Sequence, residues 1–248
     1  MNEILQTSRE GRVLRVSLNR PEKRNALSSA LCLQLVKTLE EAAHDPSVGA
    51  VLLTGNGISF CAGMDLDEIG AADSEAIDQA HEQLFTIGAR LTTPIVAAVR
   101  GAALGGGTGL VANCHIVVAA EDARFGLTEI RLGLWPFLIF RSVAAALGER
   151  RTVELALTGR IFDAREAREI GLAHELAADA ESRGAEIAAA IAAFSPTAVH
   201  RGMMYVQEAR GRDWRAAGDI ARRVRNFVLD SREFREALGS FRQKRSAK

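Results

Sequence analysis

Two glycine-bearing segments hold the residues best placed to do chemistry. Ser59-Phe60-Cys61-Ala62-Gly63-Met64-Asp65-Leu66 and Gly101-Ala102-Ala103-Leu104-Gly105-Gly106-Gly107 each follow a short apolar run and precede a helical pattern. A chain that turns from a buried strand into a helix leaves the first N–H groups of that helix unpaired, with the positive end of the helix dipole behind them. Two such donors converging on one point form an oxyanion hole. Charge that develops on a carbonyl oxygen then meets dipoles already in place, and losing one donor typically costs about 10²–10³ in rate. On glycine content alone, plain turns are the better reading of both segments. Other glycine-loop chemistries fit less well: no Lys-Ser or Lys-Thr follows Gly107, Leu110 stands where a dinucleotide fingerprint needs glycine, and GxSxG is absent.

The elements that must position these loops follow from periodicity. Val13 to Leu18 alternates as a half-buried strand, and Asn19-Arg20-Pro21 breaks it. Leu31, Leu35, Leu39 and Ala42 recur at helical spacing behind an N-cap at Ser28, with a stop at Asp45-Pro46. Val48 to Thr54, Ile95 to Val99 and Ile116 to Ala120 read as buried strands; Ile77 to Leu91 and Gly106 to Asn113 read as helices. This alternation predicts an α/β core of coiling strand–helix units. Beyond Gly133 the pattern turns helical over Arg141 to Leu157, Ala164 to Ile170, Ala180 to Phe194, Thr197 to Ala209, Trp214 to Leu229 and Ser231 to Lys244, with Ser195-Pro196 as a break. The expected division is a core over 1–195 and a helical region over 196–248, whose amphipathic faces call for another subunit.

Bulk properties narrow the class. The 248 residues are 48% hydrophobic and 25% charged, ordinary for a folded enzyme. Lys plus Arg equals Asp plus Glu at 31 each, so no overall field selects nucleic acid. Cys32, Cys61 and Cys114 are odd in number and lack metal-ligand spacing, so neither a disulfide framework nor a metal site is expected. No signal peptide or membrane span is evident, and a cytoplasmic setting is expected.

Four ordered motifs then carry a resemblance. Arg20-Pro21-Glu22-Lys23-Arg24-Asn25-Ala26-Leu27, Phe60-Cys61-Ala62-Gly63-Met64-Asp65-Leu66, Pro94 through Gly107, and Phe125-Gly126-Leu127-Thr128-Glu129 are similar to successive signatures of the crotonase (enoyl-CoA hydratase/isomerase) superfamily. The likeness runs through to Phe241 and Lys244. It implies a spiral of ββα units with a helical C-terminal region that mediates trimerisation, often into a dimer of trimers. It implies oxyanion donors at the N–H groups of Met64 and Gly106, with the Met64 side chain walling the acyl pocket. It further implies coenzyme A bound at Lys23, Ala26, Ala62, Asp65 and Leu66, with Phe241 and Lys244 offered by a neighbouring subunit. Coenzyme A arrives as part of the substrate, and no separate cofactor is expected.

Family hydratases use two glutamates. The second is matched by Glu129, whereas the first falls at Gly109, so one carboxylate is missing. Adding water across a conjugated double bond divides naturally between two carboxylates; moving a double bond needs one base to take a proton from C2 and return it at C4. The resemblance therefore favours isomerisation of 3-enoyl-CoA to 2-enoyl-CoA, with Glu129 as the single acid/base. Taken alone, a glutamate after a short strand is more often a surface charge or a cap; the motif around Glu129 reverses that. The apolar run Leu132 to Ile139 can bury it and line the acyl site through Trp135, although core packing explains the run equally well. Gly109 would leave room there for a branched or cyclic acyl group.

Other groups rank lower. His115 reads as a core or capping histidine and Cys61 as packing, while Asp67 and Glu68 read as a solvated face near the acyl mouth. Phe137 to Phe140 offers no nucleophile, which disfavours hydrolase chemistry. Two alternatives stay open: hydration by Glu129 alone, and a non-catalytic binding protein whose Arg222-Arg223-Arg225 cluster contacts RNA.

Overall fold

The computed structural model describes residues 3–68 and 74–246. Strand β1 (Leu5–Glu10) turns back into β2 (Val13–Leu18), followed by α1 (Ser29–His44), β3 (Ala50–Gly55), α2 (Ser74–Phe85) and β4 (Ile95–Val99). Then come β5 (Ala102–Leu104), α3 (Gly106–Ala112), β6 (Ile116–Ala119) and β7 (Arg124–Gly126). The second half holds α4 (Phe137–Leu147), α5 (Glu149–Thr158), β8 (Ile161–Asp163), α6 (Ala164–Glu169) and β9 (Glu175–Leu176). It ends in α7 (Ala180–Ala192), α8 (Pro196–Ala209), α9 (Trp214–Leu229) and α10 (Arg232–Ser246).

One sheet runs in the order β1-β2-β3-β4-β6-β9, and a smaller one in the order β5-β7-β8. The β1–β2 pair is antiparallel, whereas β2, β3, β4, β6 and β9 pair in parallel, with Val16 opposite Leu53 and Ala97 opposite Val117. Every residue of β3 and β4 is buried, as expected for parallel strands covered on both faces. One face packs on α1 through Leu31, Leu35 and Leu39 together with Val16, Leu53 and Phe60. The other face, with Leu52, Val96, Ala98 and Val118, is covered by Ala180, Ala188 and Ala192 of α7. Alanine suits that helix because the approach is close: a Cβ built on Gly49 would meet the Ala192 backbone at 2.8 Å. Truncating one fully buried leucine here, such as Leu53→Ala, would cost about 2–5 kcal/mol.

The α/β alternation agrees with expectation, and three boundaries differ for physical reasons. The helix expected over Arg141 to Leu157 is two helices, because Gly148 at φ 79° turns the chain between α4 and α5. The helix expected from Ile77 to Leu91 ends at Phe85 and tightens into a 3₁₀ turn, Ile87–Ala89. Ser195-Pro196 opens a helix as well as following one: Ser195 Oγ accepts from Ala198 N, and Pro196 occupies the first turn, where its missing N–H has no cost.

Helices α8 and α9 bury no residue within the single chain, and Trp214, Phe227 and Phe241 are exposed. The arginine cluster on α9 is partly neutralised, since Arg222 pairs with Asp219 and Arg223 with Glu208. Among the described residues no helix is long and apolar enough to cross a membrane, and no group of three or more His, Cys, Asp or Glu could hold a metal.

Candidate active site

The two glycine loops lie side by side because hydrogen bonds join them like short strands. Cys61 N donates to Ala102 O and Leu104 N donates to Cys61 O, both at 3.0 Å. The first loop is pinned from below by Asn25, which is fully buried at a left-handed φ of 55°. Its amide donates to Asn56 O (2.9 Å) and Ser59 O (2.8 Å) and accepts from Arg20 N (2.8 Å). Arg20 in turn holds Asp65 at 2.8 Å and Ala26 O at 2.6 Å. Leu27 completes the clamp, giving its N–H to Gly63 O and taking Asp65 N–H on its carbonyl.

The second loop needs glycine where the backbones touch. A Cβ on Gly107 would sit 2.2 Å from Cys61 O, so only hydrogen fits. At the start of α3, the Gly106 N–H has no intrahelical acceptor within reach. Neither Gly106 N–H nor Met64 N–H has a hydrogen-bond partner among the described residues. The two lie close together: a Cβ built on Gly106 would be 3.6 Å from Met64 N.

Glu129 is brought to the same place by Thr128 and the strand before it. Gly105 N donates to Gly126 O at 2.8 Å, and Gly126 N donates to Thr108 Oγ at 3.1 Å, so β7 is tied to the head of α3. The chain then tightens into a 3₁₀ turn, Glu129–Leu132, and lays the carboxylate over Gly105, whose built Cβ would be 3.1 Å from Glu129 Oε1. Glu129 Oε2 is buried and lacks a hydrogen-bond partner among the described residues. Burial pushes its carboxyl above the usual carboxylate range, against a smaller opposing effect of a backbone hydrogen bond. A cavity of about 460 Å³ opens onto Glu129, Met64 and Gly106, with an apolar wall from Leu132 to Ile139 that includes Trp135.

Two unpaired N–H groups beside a desolvated carboxylate can hold a thioester oxygen while a proton moves at the neighbouring carbon. The whole-chain comparisons point the same way. The model of the enoyl-CoA hydratase/isomerase family matches residues 8–248. The chain belongs to this family. A 2,3-dehydroadipyl-CoA hydratase of Escherichia coli is 35% identical over 254 residues, covering 99% of this chain and 98% of the relative. A putative enoyl-CoA hydratase of Thermus thermophilus is 33% identical over 95% of this chain and 96% of its own length. Among solved structures, an enoyl-CoA hydratase of Mycobacterium smegmatis superposes with a TM-score of 0.93 at 30% identity, covering 98% of this chain and 97% of that one. AtuE of Pseudomonas aeruginosa gives 0.92 at 34% identity over the same shares. The fold is thus the crotonase fold, and the chain is a family enzyme acting on CoA thioesters.

Within this enoyl-CoA hydratase/isomerase site the structure brings together Ala62, Met64, Leu66, Gly106, Glu129 and Trp135 on one cavity. Gly109 requires a correction. It is buried in α3 away from the cavity wall, and Ile139 occupies the space beside it, so it opens no room for an acyl branch. Lys23 is exposed and paired with Asp67, and Ala26 is buried beneath the loop. Asp65 turns its carboxylate toward Arg20, which makes it a loop fastener. Glu68 caps α1 by accepting from Ser29 N at 2.8 Å; neither it nor Asp67 lines the cavity. Phe241 is exposed on α10 and does not reach the cavity of its own chain, and the Lys244 side chain lies outside the described residues.

His115 is a cap, as its sequence context suggested: Nδ1 accepts from Ile95 N at 2.9 Å, and burial lowers its pKa. The Cys61 thiol is fully enclosed and pushed up to about 12 by burial, which suits packing. Sequence reasoning read a helix at α2 but missed its place on the cavity. Asp78, Glu82 and Phe85 line the cavity, and the i, i+4, i+7 spacing of these three could have flagged a shared helical face.

Proposed function

We propose that this enzyme converts 3-enoyl-CoA to 2-enoyl-CoA, with Glu129 as the single acid/base. The thioester oxygen accepts hydrogen bonds from Met64 N–H and Gly106 N–H. Glu129 removes a proton from C2, the negative charge spreads over the dienolate and is held at the oxygen, and the same carboxyl returns the proton at C4. Proton count and charge are restored, so the reaction as drawn requires no metal or separate cofactor. A carboxylate desolvated enough to have a raised pKa is better matched to a weak carbon acid than an ordinary glutamate.

The observation that carries this reading is the sealed space at Gly109. The place of the other family glutamate holds no carboxylate, and Ile139 fills the space that a side chain at residue 109 would need. The CoA moiety is assigned to Lys23, Ala26 and the backbone of Ala62 to Leu66, with Phe241 and Lys244 reaching from a neighbouring subunit. The exposed apolar residues on α8–α10 support a homotrimer or dimer of trimers. Three unpaired cysteines support a reducing, cytoplasmic setting.

Hydration is the second reading, favoured by the names of the similar proteins. Assaying the purified protein on 3-hexenoyl-CoA and on 2-enoyl-CoA decides between them. Isomerisation well above hydration supports the proposal; robust hydration without isomerisation defeats it.

A further inference from the structure

The α2 wall of the cavity carries charge that the proposed chemistry does not use. Asp78 and Glu82 sit one helical turn apart, and both line the cavity. Phe85, three residues further along that face, closes on the oxyanion donor, since a Cβ built on Gly106 would lie 3.1 Å from Phe85 Cζ. The two carboxylates therefore extend from the reacting centre along one face of the helix. Neither has a hydrogen bond or ion pair among the described residues. Among the described residues the cavity lining contains no Lys, Arg or His. Beyond Thr128 and Glu129 at the reacting centre, the other side chains of the wall are apolar, among them Leu132, Leu134 and Phe137.

We infer that this cavity selects uncharged apolar acyl groups and excludes acyl chains that end in a carboxylate, with Asp78 and Glu82 as the specificity determinants. The inference rests on the assignment of acyl-CoA to this cavity. An acyl tail ending in a methyl group gains by leaving water for the leucine and phenylalanine wall. A tail ending in a carboxylate must shed its hydration beside two like charges with no cation to receive it. Selection of this kind works by repulsion and so weakens with salt, because both acidic groups are exposed. The phosphates of CoA are common to every thioester and cancel when two are compared. The inference separates this chain from its 35% identical relative, which is named for a substrate ending in a carboxylate.

The test is the calorimetric affinity of the full chain for hexanoyl-CoA and adipyl-CoA, which have the same length and differ at the tail. Being saturated, they report binding without turnover. The expected result is adipyl-CoA binding about tenfold or more weaker at low salt, with the gap narrowing at high salt and in the Asp78→Asn/Glu82→Gln double variant. Should that variant fail to fold, the salt series on the unaltered protein decides the question. Equal or tighter binding of adipyl-CoA overturns the inference, and so does a gap that neither salt nor the substitutions change. If neither thioester binds, the assignment of acyl-CoA to this cavity fails, and the inference fails with it.

Discussion

Ile139 occupies the space into which residue 109 would project: a Cβ built on Gly109 lies 2.3 Å from Ile139 Cγ2 and 2.6 Å from its Cβ. The α3–α4 contact thus leaves no space for a side chain at the position where the family resemblance puts the first glutamate. The absence of that carboxylate is built into the packing as well as into residue 109.

Gly109→Ala should therefore destabilise the protein. A helix-interior Gly→Ala change normally gains about 1 kcal/mol, but overpacking of this kind costs about 1–3 kcal/mol or more. Denaturant melts should show a lower midpoint. Ile139→Ala in the same chain should recover part of the loss, because it removes Cγ2 while leaving its own Cβ close. A stabilised single variant would show that α4 yields easily.

The raised pKa of Glu129 has two consequences of opposite use. As a base it must be ionised, so kcat/KM should fall on the acid side with a midpoint above that of an ordinary carboxyl group. For stability, the folded state holds the proton more tightly than the unfolded chain. The native state therefore loses relative stability as pH rises from the unfolded carboxyl value through the folded one. Glu129→Gln should be more stable than the parent at neutral pH, and the advantage should vanish in acid below the unfolded value. A Gln variant less stable than its parent at neutral pH would contradict the desolvated carboxylate.

Much of this geometry was legible in the residues. The glycine loops are visible because a strand-to-helix turn with touching backbones tolerates little else, and Ser28 and Trp214–Leu229 match their helix signals closely. The break at Gly148 was hidden because helix-forming sequence on both sides, Ala144-Ala145-Ala146-Leu147 before and Glu149-Arg150-Arg151 after, continues the helical pattern. Strands β5, β7 and β8 have three residues each, too few for any periodicity to register. Gly109 was open to misreading because an empty position in sequence says nothing about which distant side chain fills it. The spacing of Asp78, Glu82 and Phe85 marks one helical face but not what it adjoins, since the same pattern serves a solvated helix face and the rim of a cavity.

Asn25 should be among the costliest polar residues to lose. Asn25→Gly keeps the left-handed backbone and removes only the amide, which leaves the carbonyls of Asn56 and Ser59 and the N–H of Arg20 without their partner. Each buried group left unsatisfied costs about 1–3 kcal/mol. Thermal melts should register that loss, and kcat should fall because the Met64 loop is no longer pinned. Unchanged kcat in a folded variant would show that Leu27 and Arg20 alone hold the loop.

The cysteines should be silent. Burial pushes the thiols of Cys61 and Cys114 up to about 12 and that of Cys32 up as well. A disulfide reagent at mildly alkaline pH should label none of them in the native protein and all three after denaturation. Rapid native labelling of Cys61 with loss of activity would mean that the loop opens.

The role of Glu129 is tested most sharply by the rate of 3-enoyl-CoA isomerisation in Glu129→Gln beside the parent enzyme, with thioester affinity measured on both. The expected result is a fall in kcat of about 10²–10⁴ with affinity retained, because the amide fills the same space and cannot take the C2 proton. A Gln variant that isomerises at near the parental rate would contradict a single acid/base at this position.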